Sequence, residues 1–128
     1  MGGLIFIHIN GKQFFRKFAT VTMEKISKNP IDLLRASDGF DWDFHNYYKN
    51  WLKHNITAQQ AQEVFANRPL LIYDDQKHSK SEDRFLAYGK TNTGLTLFVS
   101  YTFRGTKIRI ISARRMSRKE RELYEQAK

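Results

Sequence analysis

Two kinds of hydrophobic spacing succeed one another from Phe40 onward, and the change between them divides the chain. Phe44, Tyr47, Tyr48, Trp51 and Leu52 recur at steps of three and four, so they share one face of a helix, read here as its core side. Asp43 stands where it can cap the start of that helix. Asn55, after Lys53 and His54, can end it, because Asn is second only to Gly in taking the left-handed conformation. Thr57 and Gln60 have capping-box spacing ahead of a second short helix, with Ala61, Val64 and Phe65 as its buried stripe and Pro69 barring continuation past Arg68.

The period then drops to two. Leu70 to Tyr73, Arg84 to Tyr88, Leu95 to Phe103 and Lys107 to Ala113 read as strands joined by a polar loop and two short turns, an antiparallel meander. In the third run Leu95, Leu97, Val99, Tyr101 and Phe103 alternate with Thr96, Ser100 and Thr102, while Phe98 interrupts the polar side. Ser117 with Glu120 repeats the capping box and opens a last helix, with Leu123, Tyr124 and Ala127 expected inward. The predicted class is α+β: two N-terminal helices packed on a four-stranded antiparallel sheet, followed by a C-terminal helix. One sheet face is left open to carry a site.

Residues 1–39 differ in texture and are expected to form an N-terminal extension, partly disordered or adding an edge strand and a short helix, ahead of a domain at 40–128. They hold the apolar run Leu4 to Ile9, a basic aromatic patch at Phe14, Phe15, Arg16, Lys17 and Phe18, and I-S-K-N-P-I-D-L-L-R-A-S-D-G, which reads as loop, short helix and stop at Gly39. Met23 falls inside this region. Were it the start, the first 22 residues would be an upstream extension with no need to fold; otherwise Leu4 to Ile9 supply an edge strand.

Composition narrows the function. A chain of 128 residues that is 41% hydrophobic can fill one core. Its 22 Lys and Arg against 13 Asp and Glu give a net charge of +9, which favours a polyanion or an acidic protein as partner. The absence of cysteine excludes disulfides, thiolate catalysis and Cys-based zinc sites. Leu4 to Ile9 is too short for a secretory signal, and no run approaches the roughly 18 apolar residues of a membrane span. A soluble, cytoplasmic protein with no membrane partner is expected. Glycines sit singly, Gly89, Gly94 and Gly105 being read as turn residues, so there is no Gly-rich phosphate loop.

Cations and titratable groups concentrate in three places. His78, Ser79, Glu82 and Arg84 bring a base, a hydroxyl, a carboxylate and a fixed cation into one segment, the parts needed to move protons around a phosphate. Asp74 and Asp75 alongside them point to opposite faces and read as a solvated turn. Lys53 and His54 suit the negative end of their helix, a structural role that suffices for the pair. On the last strand Arg109 must point away from Ile108 and Ile110, onto the open face with Lys107, and an anion site follows if Arg84 shares that face. Arg114, Arg115, Arg118, Lys119 and Arg121 crowd the junction beyond it. Among aromatics that could stack bases, Tyr101 and Tyr124 lie at core spacing, whereas Phe98 is placed to act as a platform.

In this order and spacing, F-D-W-D at Phe40, N-W-L-K-H at Asn50, A-x-x-V-F-A at Ala61, H-S-x-x-E-x-R-F at His78, and Y-T-x-R-G followed by I-R-I-I-S-A-R-R and E-R-x-x-Y resemble the BrnT toxins of bacterial type II toxin-antitoxin systems, distant relatives of the RelE and ParE toxins. The resemblance covers the chain from Phe40 to its end. It implies a RelE-like fold and a metal-independent endoribonuclease that cleaves RNA and inhibits translation, without a cofactor. It also implies a ribbon-helix-helix antitoxin (BrnA-like) that holds the toxin inactive, and operator DNA contacted only through that complex. In such chemistry the RNA 2′-hydroxyl attacks its own phosphate, so the protein must remove one proton, stabilise a dianionic transition state and protonate the leaving oxygen. Arg84, Arg109 and Arg114 suit the charge, and His54, His78 and Glu82 are the proton-transfer candidates. RNA contacts are expected from Lys53, Lys107, Arg114, Arg115 and Phe98. Phe103 and Met116 stand where the family commonly has a polar residue and alanine, which should add apolar surface near the basic tail. Two other classes remain open: a non-catalytic module that binds nucleic acid or protein, and a ParE-like topoisomerase poison.

Overall fold

A computed structural model describes residues 5–9, 12–16, 30–78 and 81–127, with side chains from 30–78 and 81–127. Lys17, Phe18, Met23 and Ser79 lie outside the described residues, and the expectation of partial disorder before residue 40 falls in part on residues outside them too. Strands β1 (Ile5–Ile9) and β2 (Lys12–Arg16) pair with each other as a two-stranded sheet. Helices α1 (Pro30–Ala36), α2 (Phe44–His54) and α3 (Ala58–Glu63), the last continued by a 3₁₀ turn at Val64–Ala66, precede the main sheet. That sheet has the order β3 (Leu71–Asp74), β4 (Arg84–Lys90), β5 (Thr96–Arg104) and β6 (Lys107–Arg115), each antiparallel to the next, and α4 (Arg118–Glu125) closes the chain.

Local signals act as expected. The Asp43 side chain accepts from the Asn46 N–H at the start of α2, and Asn55 ends it at φ 57°. Both capping boxes, Thr57 with Gln60 and Ser117 with Glu120, close reciprocally. The turn between β5 and β6 is two residues long, with Gly105 at φ +62° supplying the positive angle that such hairpins need. Gly89, expected at a turn, lies within β4 instead. An added Cβ there would sit 2.6 Å from Val64 Cγ1, so β4 and the 3₁₀ turn can approach only because the side chain is missing.

Alternation along the strands builds one core. Phe85 and Ala87, Leu97, Val99 and Tyr101, and Ile108, Ile110 and Ala113 point to the same side of the sheet, where Ile31, Ile56, Ala61, Val64 and Leu70 cover them. Tyr101 is fully buried among Phe65, Phe85 and Phe103, and Tyr124 is buried by the other layer, against Leu71 and Met116. Leu123 departs from its expected inward position and is exposed. Phe103 packs on the core and Met116 is buried, so neither adds the apolar surface expected near the basic tail.

The largest correction concerns α2. Its apolar stripe has the spacing of a core face, yet Phe44 is 83% and Leu52 81% exposed, and Tyr47, Tyr48 and Trp51 are each close to half exposed. The buried residues of α2 are Asn46 and Asn50. They face the outer edge of β6: Asn46 Nδ2 donates to the Ile110 carbonyl at 2.7 Å and the Ala113 N–H donates to Asn50 Oδ1 at 3.0 Å. Just upstream, the Ile108 N–H donates to the Gly39 carbonyl and the Asp41 N–H to the Ile108 carbonyl. An edge strand has unmet backbone donors and acceptors, which only polar groups can satisfy, so α2 turns its polar side inward. Of the two helices expected to cover the sheet, only α3 lies over the core face, helped by α1.

Candidate functional site: the open face of the sheet

Strand register fixes which side chains share the face opposite the core. Arg84 pairs with Thr102 and Thr102 pairs with Arg109, so the three stand in one row across β4, β5 and β6. The next row toward the β5–β6 turn holds Arg104 and Lys107. In the other direction come Leu86, Ser100 and Ser112, then Tyr88, Phe98 and Arg114. A register shift between Ser100 and Tyr101 lets Ile111 bulge from β6, which keeps Arg109 and Ser112 on one face although they are three residues apart. The expected gathering of Arg84, Arg109 and Lys107 on the open face is therefore what the register gives.

Carboxylates reach into this cation field from its rim. Glu82 lies 3.7 Å from Arg84 and 3.6 Å from Arg104. Arg109 donates to Asp43 at 2.6 Å and to Asp41 at 3.2 Å. Lys107 Nζ is 3.4 Å from Asp38. The Asp43 carboxyl is held below its usual range by the Asn46 N–H and then by Arg109, and Arg109 is in turn favoured as the cation. Thr102, 2% exposed, donates its hydroxyl to the Asp83 carbonyl at 2.6 Å and so ties the loop before β4 to the middle of the row.

Lys49 joins this face from α2 and had no place in the sequence reading. Its ammonium donates to the Ile111 carbonyl at 2.6 Å, and its pKa is lowered by burial first and then by Lys53 and Arg84. The available sequence signal was the spacing of Lys49 and Lys53, one helical turn apart on the side next to the buried asparagines.

The histidine candidates differ in setting. His78 Nδ1 is 3.1 Å from the Asp75 carboxylate, whose N–H donates to the Arg84 carbonyl across the sheet. Asp75, expected in a solvated turn, is buried, and it holds the ring with Nε2 directed away from the bond. His54 and Lys53 are exposed at the end of α2. Arg114 is bound at 2.8 and 3.0 Å by Glu120 and stands over the Phe98 ring at 4.3 Å, so one face of the expected base platform is taken by the chain's own cation. Tyr88 packs beside the same ring, and Arg115 is exposed nearby. A second concavity of about 460 Å³ lies between α4 and β3, but its lining of Leu71, Tyr73, Tyr88 and Tyr124 offers an anion no cation. Among the described residues no three His, Asp or Glu side chains group as metal ligands.

Comparison with protein families decides the class. A family model described as "Ribonuclease toxin, BrnT, of type II toxin-antitoxin system" matches residues 42–120, more than half of the chain. The chain belongs to the BrnT family. It is therefore a ribonuclease toxin of the type II class, which implies an RNA substrate and a protein antitoxin. No curated protein matches the chain. The BrnT match begins at Trp42 and includes α2, the whole main sheet and the first residues of α4, and hence every candidate side chain named above from Asp43 to Arg115. Among the described residues, no helix is long and apolar enough to cross a membrane.

Proposed function

We propose that this BrnT-family chain is a cytoplasmic, metal-independent endoribonuclease that inhibits translation by cleaving RNA on the open face of its sheet. The observation that carries the reading is the cross-strand row Arg84, Thr102, Arg109, with Lys49 bonded to the Ile111 carbonyl at the edge of β6. Cations fixed on two strands and a helix oppose a phosphate without rearrangement, the condition under which electrostatic stabilisation is strongest. Arg84 and Lys49 bind the scissile phosphate. Arg109, held by Asp41 and Asp43, uses two of its five N–H donors on them and turns others to the same phosphate.

The 2′-oxygen attacks phosphorus as its proton passes to a base, the bond to the 5′-oxygen breaks, and that oxygen takes a proton, leaving a 2′,3′-cyclic phosphate. His78 serves as the proton-transfer group because Asp75 fixes its ring, with His54 as the second candidate. Glu82 orients Arg84 and Arg104. Lys53, Lys107, Arg114, Arg115 and Phe98 line the path of the flanking strand. The toxin domain is assigned to residues 40–128 and 1–39 to an N-terminal extension, whose α1 adds Ile31 to the core. A ribbon-helix-helix antitoxin silences the toxin, and operator DNA is contacted through that complex.

Purified protein incubated with RNA in EDTA tests the reading. Cyclic phosphate ends are expected, with His78→Ala slowing cleavage more than His54→Ala. Strict dependence on a divalent ion, or linear 3′-hydroxyl ends, would overturn it.

A further inference from the structure

The exposed side of α2 is apolar where a solvated helix would be polar. Phe44, Tyr48 and Leu52 form one line along it and Tyr47 and Trp51 another, over about 12 Å of helix. The helix cannot roll to bury them, because Asn46, Lys49 and Asn50 fasten its other side to the edge of β6. A contiguous apolar stripe held outward in this way marks an interaction surface. We infer that it docks a helical segment of the toxin's protein partner, apolar on one side and acidic at its flanks.

Charge selects that occupant. Residues 44–54 include no Asp or Glu, and of their four basic side chains His45, Lys53 and His54 are exposed while Lys49 is held against β6. A second copy of the chain would set these groups against their own kind, whereas an acidic helix complements them. Ring geometry disfavours stacked nucleobases. Phe44 and Tyr48 are 5.2 Å apart at 57°, Tyr47 and Tyr48 5.0 Å at 71°, and Trp42 and Tyr47 5.8 Å at 79°. Rings that lean edge to face on one another form a ridge for apolar side chains, not a set of separated platforms. A two- to three-turn helix with anchors at i, i+3, i+4 and i+7 matches the length of the stripe. The inference rests on the type II family for the existence of a protein partner and not on the assignment of catalytic side chains.

The probe is a synthetic helical peptide with Leu at i, i+3, i+4 and i+7 and Glu at its flanks, titrated into the full chain and followed by fluorescence anisotropy and by tryptophan emission, since Trp51 lies in the stripe. Saturable binding with a blue shift is expected, weakened at least tenfold in the Phe44→Ser, Leu52→Ser double variant and at least tenfold when Lys replaces Glu in the peptide. Both substituted side chains are more than four-fifths exposed, so the variant keeps its fold and its RNA cleavage. Equal binding by chain and variant overturns the inference. So does self-association in sedimentation, adsorption to anionic phospholipid vesicles, or tight binding of a single-stranded oligonucleotide, where the double variant abolishes it. Cleavage that persists while the peptide fails to bind sinks this inference alone; peptide binding by a chain that cleaves nothing sinks the nuclease reading and leaves this one standing.

Discussion

Arg84 and Arg109 flank the same residue, Thr102, from the two strands on either side of it. Antiparallel partners project to one face, so two guanidinium groups from residues 25 positions apart in sequence are held over the open side of the sheet without any loop needing to place them. Thr102, between the two arginines, is short and turns its hydroxyl to the Asp83 carbonyl.

Lys49 should carry phosphate binding in addition to its bond to the Ile111 carbonyl. Lys49→Ala is expected to weaken binding of a 2′-O-methyl oligonucleotide several-fold and to lower the slope of log affinity against log salt by about 0.7, as for one contact on a single strand. A slope equal to that of the unaltered chain would remove Lys49 from the site.

Asn50 is worth more to stability than Leu52 of the same helix. Its Oδ1 satisfies the buried Ala113 N–H, so Asn50→Ala should cost about 1–3 kcal/mol in urea unfolding. Leu52→Ala, at a side chain 81% exposed, should cost under about 0.5 kcal/mol. The reverse order would mean that α2 packs by its stripe.

The pairing of Glu120 with Arg114 makes stability depend on acid. The Arg114 guanidinium, with help from the Ser117 N–H, lowers the Glu120 carboxyl from 4.5 to about 2. A carboxyl depressed on folding contributes stability that is complete above its unfolded value and is lost as pH falls through the folded one. Glu120→Gln should therefore cost about 1 kcal/mol at pH 7, a figure for a partly exposed pair that also closes a capping box. The difference between the two proteins should shrink from about pH 4.5 downward toward pH 2. Urea midpoints at pH 7, 5 and 3 measure it, and a constant difference would refute the linkage.

What the sequence made legible follows the range of the physics involved. Asp43, Asn55, Thr57 with Gln60 and Ser117 with Glu120 act within four residues, and all were readable. The period-two pattern placed four strands within two residues of their observed ends and set Arg109 on the face opposite Ile108 and Ile110. Periodicity also found the stripe of α2 but was silent on what would cover it. The covering rule failed because the demand came from the edge of β6, where backbone groups of Ile110 and Ala113 needed Asn46 and Asn50. The same long-range docking brought Asp41 and Asp43 to Arg109 and Lys49 to the Ile111 carbonyl, partnerships that no spacing rule expresses.

Single-turnover cleavage of a short RNA by Arg84→Ala, set beside Arg115→Ala from the exposed end of β6, tests the row most directly. The account predicts a loss of about 100-fold or more for Arg84→Ala, the scale of removing one fixed donor from a developing anion, with unfolding midpoints unchanged and Arg115→Ala within about threefold of the unaltered chain. Full activity in Arg84→Ala would contradict it.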